Sequence, residues 1–247
     1  MKYDKYFSFP IPLLKGFLAN PKYVIGMIVS YCVYKLVYSD KAKYPSIIVM
    51  ENDMEFRIRD FGIDQYKVES IGQELYDSLD GNNAPYVGAR ILTLRRNYSG
   101  IGGDYGRVCF LMYLAMKSII QKKRFQRNVS LDYIFSRMSG ECKKVPKEKI
   151  DPEVFKWRSR KKYSRVLLDL ELNFGLLKLP GKSRGITYSF ETNKDVDRKN
   201  MNHAKLIYLA EVSKRKERVR RLKHEKEKAR RKVLEYLEKE RNGLDSA

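Results

Sequence analysis

Cysteine and histidine are scarce, with three of one and two of the other in 247 residues. Cys32, Cys109 and Cys142 are far apart and odd in number, which excludes a disulfide framework and a Cys-x-x-Cys metal pair and fits a reducing cytosol. Cys32 and Cys109 sit in apolar runs and read as small buried hydrophobes. His203 and His224 fall in a charged C-terminal stretch without cysteine or acidic companions at ligand spacing, so neither a zinc set nor a Cys–His nucleophile pair is expected. Long hydrophobic runs are also missing. The run between Lys22 and Lys35 has 12 residues, whereas a membrane span needs about 20, so it reads as a buried helix. The first residues carry lysines but no apolar segment followed by a cleavage site, and a cytoplasmic protein without a signal peptide is expected. The glycine-rich stretch Ser99 to Gly106 has neither GxGxxG spacing nor a terminal Gly-Lys-Ser/Thr, and reads as an interhelical loop. Asp169 and Glu171 lie beside basic residues and read as ion-pairing groups. No enzyme, cofactor, metal site or small-molecule ligand is indicated.

What is abundant is positive charge. Fifty-one Lys/Arg against 30 Asp/Glu leave a net charge of +21, which calls for an anionic partner such as nucleic acid. Residues 196–247 hold 17 basic and 9 acidic residues, a net of +8, which leaves +13 for residues 1–195. The body is therefore basic in its own right. Its hydrophobic fraction of 43% is enough for a real core.

Helix punctuation divides the chain. Asn20-Pro21 opens a helix to about Ser39, a capping side chain followed by a proline whose missing N–H costs nothing at the first position. Met54, Phe56 and Ile58 alternate with charged residues, so residues 46–58 fit either a strand pair or short helices. Val68 to Leu79 has the spacing of an amphipathic helix, 80–85 is a turn, and 89–98 is a short element of either type. A strongly apolar helix is expected over Val108–Arg124. A second follows Ser130, with Leu131, Ile134, Phe135 and Met138 on one face and Gly140 as its stop. Asp151-Pro152 starts a third, expected to run unbroken to about Asn173. Leu176 to Leu179 and Ile186 to Phe190, separated by a Pro/Gly-containing basic loop, read as a hairpin. A long charged helix is expected from Asn200 to Arg241.

Three helices followed by a hairpin, with Ser130 to Gly140 (SLDYIFSRMSG) as second helix and Tyr163 to Leu177 (YSRVLLDLELNFGLL) as third helix and first strand, resemble the winged helix-turn-helix. The resemblance covers about Tyr105 to Phe190; the link between second and third helices is longer than the usual tight turn. It implies a mainly α protein in three parts: an α-rich N-terminal region (1–104) packed on the next, a winged-helix DNA-binding domain (105–192), and a basic helical tail (193–247). The opening YFSFPIPLL block, Tyr6 to Leu14, with the apolar helix after it, resembles uncharacterised proteins of phages and mobile elements of gut bacteria. That resemblance brings no activity of its own; together with the winged helix it implies a role in replication initiation or transcription control for a phage or mobile element.

On the third helix, Tyr163, Val166, Leu167, Leu170 and Phe174 share one face, with Arg158, Lys161 and Arg165 opposite. The resemblance places that second face on double-stranded DNA, together with Arg160, Lys162 and the wing-loop residues Lys182 and Arg184. Leu168 and Leu172 point away from the core face, so the later half of the helix is expected to be covered by the N-terminal region. In the tail, Arg215, Arg218 and Arg221 are candidates for the phosphate backbone. Apolar residues from Tyr208 to Tyr236 at roughly 3–4 spacing, interrupted by Arg215 and Lys226, offer a weak seam for self-association or a partner helix (208–236). The rival readings are a protein-interaction module and a peripheral binder of anionic membranes.

Overall fold

The computed structural model describes residues 5–80, 83–120, 127–180 and 186–190, together with 217, 220–222 and 224–231. The chain divides into two compact units, residues 1–193 and 194–247.

The first unit begins with strand β1 (Tyr6–Pro10), whose Phe7 and Phe9 point into the core on alternate positions. Helix α1 (Pro21–Val37) follows, and the Asn20 side chain accepts the Tyr23 N–H at its start as expected. Its middle is buried all round, from Val24 through Ile25, Ile28 and Val29 to Val33, so it serves as the strut on which the N-terminal elements pack. No helix among the described residues is long and apolar enough to cross a membrane.

Helix α2 (Ile47–Met54), capped by Ser46, settles the ambiguous stretch in favour of short helices. Met54, Phe56 and Ile58 are buried and Glu55, Arg57 and Arg59 exposed, so the period of two in burial is real. No strand makes it. Glu55 turns the backbone into the left-handed region to end α2, and a 3-10 turn (Ile58–Phe61) follows.

Helix α3 (Gln65–Leu79), capped by Asp64, lies against α1. Strand β2 (Tyr86–Arg90) pairs antiparallel with β1, Tyr6 opposite Arg90 and Pro10 opposite Tyr86. Helix α4 (Ile91–Tyr98) leads into helix α5 (Gly103–Ile119), which starts five residues earlier than its apolar pattern indicated. The basic end expected at Lys122 to Arg124 lies outside the described residues.

After α5 come strand β3 (Arg127–Asn128), helix α6 (Leu131–Met138, capped by Ser130), helix α7 (Pro152–Phe155, capped by Asp151), helix α8 (Arg160–Asn173), and strands β4 (Leu176–Pro180) and β5 (Ile186–Phe190). These strands form an antiparallel sheet in the order β3-β5-β4, so the short strand between α5 and α6 extends the hairpin.

The predicted third helix is two helices. It starts at Asp151-Pro152 as expected, then turns at Lys156–Ser159 before α8 begins. One hydrophobic cluster runs from Phe7 to Leu176 through both ends of this unit, with α5 at its centre. The Phe17 ring meets Phe110 of α5 at 5.9 Å, and the other side of α5 faces α6 and α8. In the second unit the described residues are helical and exposed, Leu222 and Ala229 of the expected seam among them.

Candidate nucleic-acid interface

The connection from α6 to α8 is long but pinned. Ser136 Oγ accepts the Val145 N–H and Ser139 Oγ accepts the Asp151 N–H, both at 3.0 Å. These bonds satisfy backbone groups that an irregular segment otherwise leaves open. They pin the connecting segment to α6 as far as Asp151, the residue that caps α7.

Arg158 is the main correction to the predicted site. It lies in the turn before α8, mostly enclosed, and donates to the Asp132 carboxylate of α6, with Phe155 against its guanidinium. Lys144 reaches the other Asp132 oxygen at 3.5 Å. Arg158 therefore ties two helices together and is not available on the outward face. Its hydrogen bond, with the positive charges of Arg158 and Lys144 behind it, holds the Asp132 carboxyl below the usual carboxylate range.

Replacing Arg158 with alanine is expected to cost about 2 kcal/mol near neutral pH, because a partly enclosed carboxylate loses its charged donor. The folded-state pKa of Asp132 lies below its unfolded value. The pair's contribution is thus complete above about pH 4 and is lost as acid titrates the folded carboxylate. Urea melts of wild type and Arg158→Ala should differ by a constant gap from pH 5 to 7 that closes below about pH 4. A gap that persists into strong acid would take the ion pair out of the account.

The remaining basic residues of the helix are presented as predicted. Val166, Leu167 and Leu170 are buried, and Arg160, Lys161, Lys162 and Arg165 are exposed on the other sides. Two of them are held by aromatic rings. Arg165 lies over Tyr105 at 4.6 Å, Lys162 over Trp157 at 5.6 Å, and the two rings meet at 5.9 Å. Lys162 also donates to the Lys156 carbonyl at 3.0 Å. The Tyr105 hydroxyl donates to the Asp169 carboxylate, so Asp169 takes a tyrosine and not the basic partner expected of it. Burial and this bond push the Tyr105 hydroxyl pKa well up, so it remains a donor. The result is a ladder of cation, ring, ring and cation across α5 and the start of α8.

Arg160 and Lys161 have no charged or hydrogen-bonding partner among the described residues, which leaves their full charge for a ligand. Arg221 is exposed and pairs with Glu217 at 2.7 Å, one helical turn earlier. Lys182, Arg184, Arg215 and Arg218 lie outside the residues whose side chains are described.

Leu168 and Leu172 were expected to be covered. They are 53% and 71% exposed. Among the described residues the end of α8 is held from its core side, through Leu167, Leu170 and the Phe174 ring 5.1 Å from Tyr113. The roles of Tyr105, Trp157 and Asp132 were not anticipated. The signal for the first two was present: the only tryptophan stands inside a basic run, and a tyrosine follows the glycine loop, the interleaving of rings and cations that nucleic-acid surfaces use. Asp132 carried no such signal.

Among the described residues no three His, Cys, Asp or Glu side chains gather where they could hold a metal ion. Cys32 and Cys109 are free and buried, and burial raises both thiol pKa values, so the thiolate is suppressed. No protein-family model, no curated protein and no solved structure matches this chain.

Proposed function

We propose that residues 103–190 form a winged helix-turn-helix and that the protein binds double-stranded DNA through α8 and the β4–β5 hairpin. Support comes from the element order helix (α5), strand (β3), helix (α6), the short α7, helix (α8) and hairpin, and from the sheet order β3-β5-β4, which attaches the strand between α5 and α6 to the hairpin. The observation that carries the reading is the outward side of α8: an apolar face locked into the core and, opposite it, Lys161 and Arg165 standing free of acidic partners among the described residues. A major groove is wide enough to admit such a helix, and phosphates on either side suit Arg160 and Lys162. The net charge of +21 supplies long-range attraction to a polyanion. Replication initiation or transcription control for a phage or mobile element rests on the sequence resemblance and is proposed on that footing.

The test is a duplex titration at two salt concentrations with the full chain. Neutralising 6–10 phosphates predicts a loss of about 10³- to 10⁵-fold in affinity between 50 and 200 mM salt. Absence of binding at 50 mM, or an affinity indifferent to salt, would overturn the reading.

A further inference from the structure

We infer that Leu168, continued by Leu172, reads thymine in the major groove, so that the preferred target is a basic-contact step followed by A·T pairs. This rests on the DNA-binding reading above. At about 100° per residue, Leu168 and Leu172 fall about 20° to either side of Lys161, and Arg165 about 40° from it, while the buried Leu170 is directly opposite. One outward ridge therefore runs from cationic to apolar along α8. Its apolar part is open: the two leucines are 53% and 71% exposed.

A leucine can neither donate nor accept a hydrogen bond, so phosphates and polar base edges give it nothing. The only apolar group that a B-form major groove presents is the thymine C5 methyl. Leu168 lies about 4.5 Å along the axis beyond Arg165 and about 6 Å before Leu172, from the rise of 1.5 Å per residue. A helix seated by Lys161 and Arg165 therefore carries both leucines within the same groove, over neighbouring base pairs. Charge complementarity selects this occupant. The same ridge that exposes the leucines begins with cations that have no acidic partner among the described residues, and these would repel the like ridge of a second copy.

The test starts from duplexes selected by the full chain out of a random pool, measured again with every thymine replaced by deoxyuridine. That exchange removes methyl groups while keeping charge and Watson–Crick pairing. At about fourfold per buried methyl-sized group, wild type should lose roughly fourfold to fifteenfold in affinity. The Leu168→Ala/Leu172→Ala variant, whose replaced side chains are largely exposed, should keep its melting temperature and bind the thymine and uracil duplexes alike. Equal binding of both duplexes by wild type overturns the inference and leaves DNA binding standing. Failure to retain any duplex at low salt removes the underlying reading instead. If wild type sediments as a dimer and the double variant as a monomer, with thymine without effect, the leucines are a self-association face and the inference is wrong.

Discussion

Exchanging Lys161 and Arg165 together for alanine is expected to lower duplex affinity by about 10²-fold or more. At roughly 1–3 kcal/mol for a base-edge contact, two lost contacts reach that range, and if both residues sit on phosphates the salt slope should fall by nearly two units. Stability should hardly change. Among the described residues Lys161 has no partner to strand, and Arg165 gives up only its position over the Tyr105 ring, worth about 0.5–1 kcal/mol at an exposed site. For a unit of this size that is a drop of no more than about 4 °C in Tm. Arg158→Ala would not serve here, because Asp132 would lose its hydrogen-bonded arginine and keep only Lys144, which would confuse lost binding with lost structure. A matched pair elsewhere, the exposed Lys67 and Lys147 exchanged for alanine, removes the same net charge and should alter affinity only slightly. Equal losses in the two variants would mean that the protein's overall charge, and not this helix face, does the binding. Unchanged affinity in the first variant would take α8 out of the interface.

The second large effect is on the fold. Gly72→Ala is expected to destabilise the protein by about 2 kcal/mol or more and to lower Tm by roughly 4–8 °C. In an exposed helix interior this exchange normally gains up to about 1 kcal/mol in helix propensity. Here α3 crosses α1 so closely that a Cβ at position 72 would lie 2.5 Å from Tyr34 Cβ and 2.6 Å from the Ser30 carbonyl oxygen. Neither neighbour is the end of a flexible side chain, so the helices must separate. Separation is opposed by a polar network along the same seam. Tyr31 and Tyr86 share a hydrogen bond of 2.7 Å, Tyr86 donates to Asp80 at 2.6 Å, and Lys41 reaches the other Asp80 oxygen at 2.7 Å. The Tyr76 ring packs on Tyr34 at 5.5 Å. Thermal and urea melts report the loss, and binding measured at a temperature where the variant stays folded should equal wild type. A variant as stable as the parent would show that the crossing is looser than these distances.

Gly140 makes the equivalent contact on the other side of the core. At φ +83° it closes α6, and a Cβ there would lie 2.9 Å from the Lys15 backbone nitrogen. Both glycines stand where one part of the chain meets another distant in sequence. Only Gly140 could be assigned a reason beforehand, as a helix stop, and that reason covers half its role.

Local signals were legible because they act over a few residues. Asn20-Pro21, Ser130 and Asp151-Pro152 start helices in the structure because a side-chain oxygen takes an N–H two or three positions on, a bond needing no other part of the fold. The buried and exposed faces of α8 follow from helical periodicity, and Val166, Leu167 and Leu170 face inward as the sequence required.

The tertiary structure decided what depends on distant partners. β1 pairs with a strand 80 residues later; the alternation at Met54 to Ile58 needs a core on one side but no ladder; and the break before α8 is fixed by Asp132, 26 residues away. The composition dictated a cationic protein. Which cations remain free was settled by packing, because an arginine beside a carboxylate is neutralised and one standing on a ring is not.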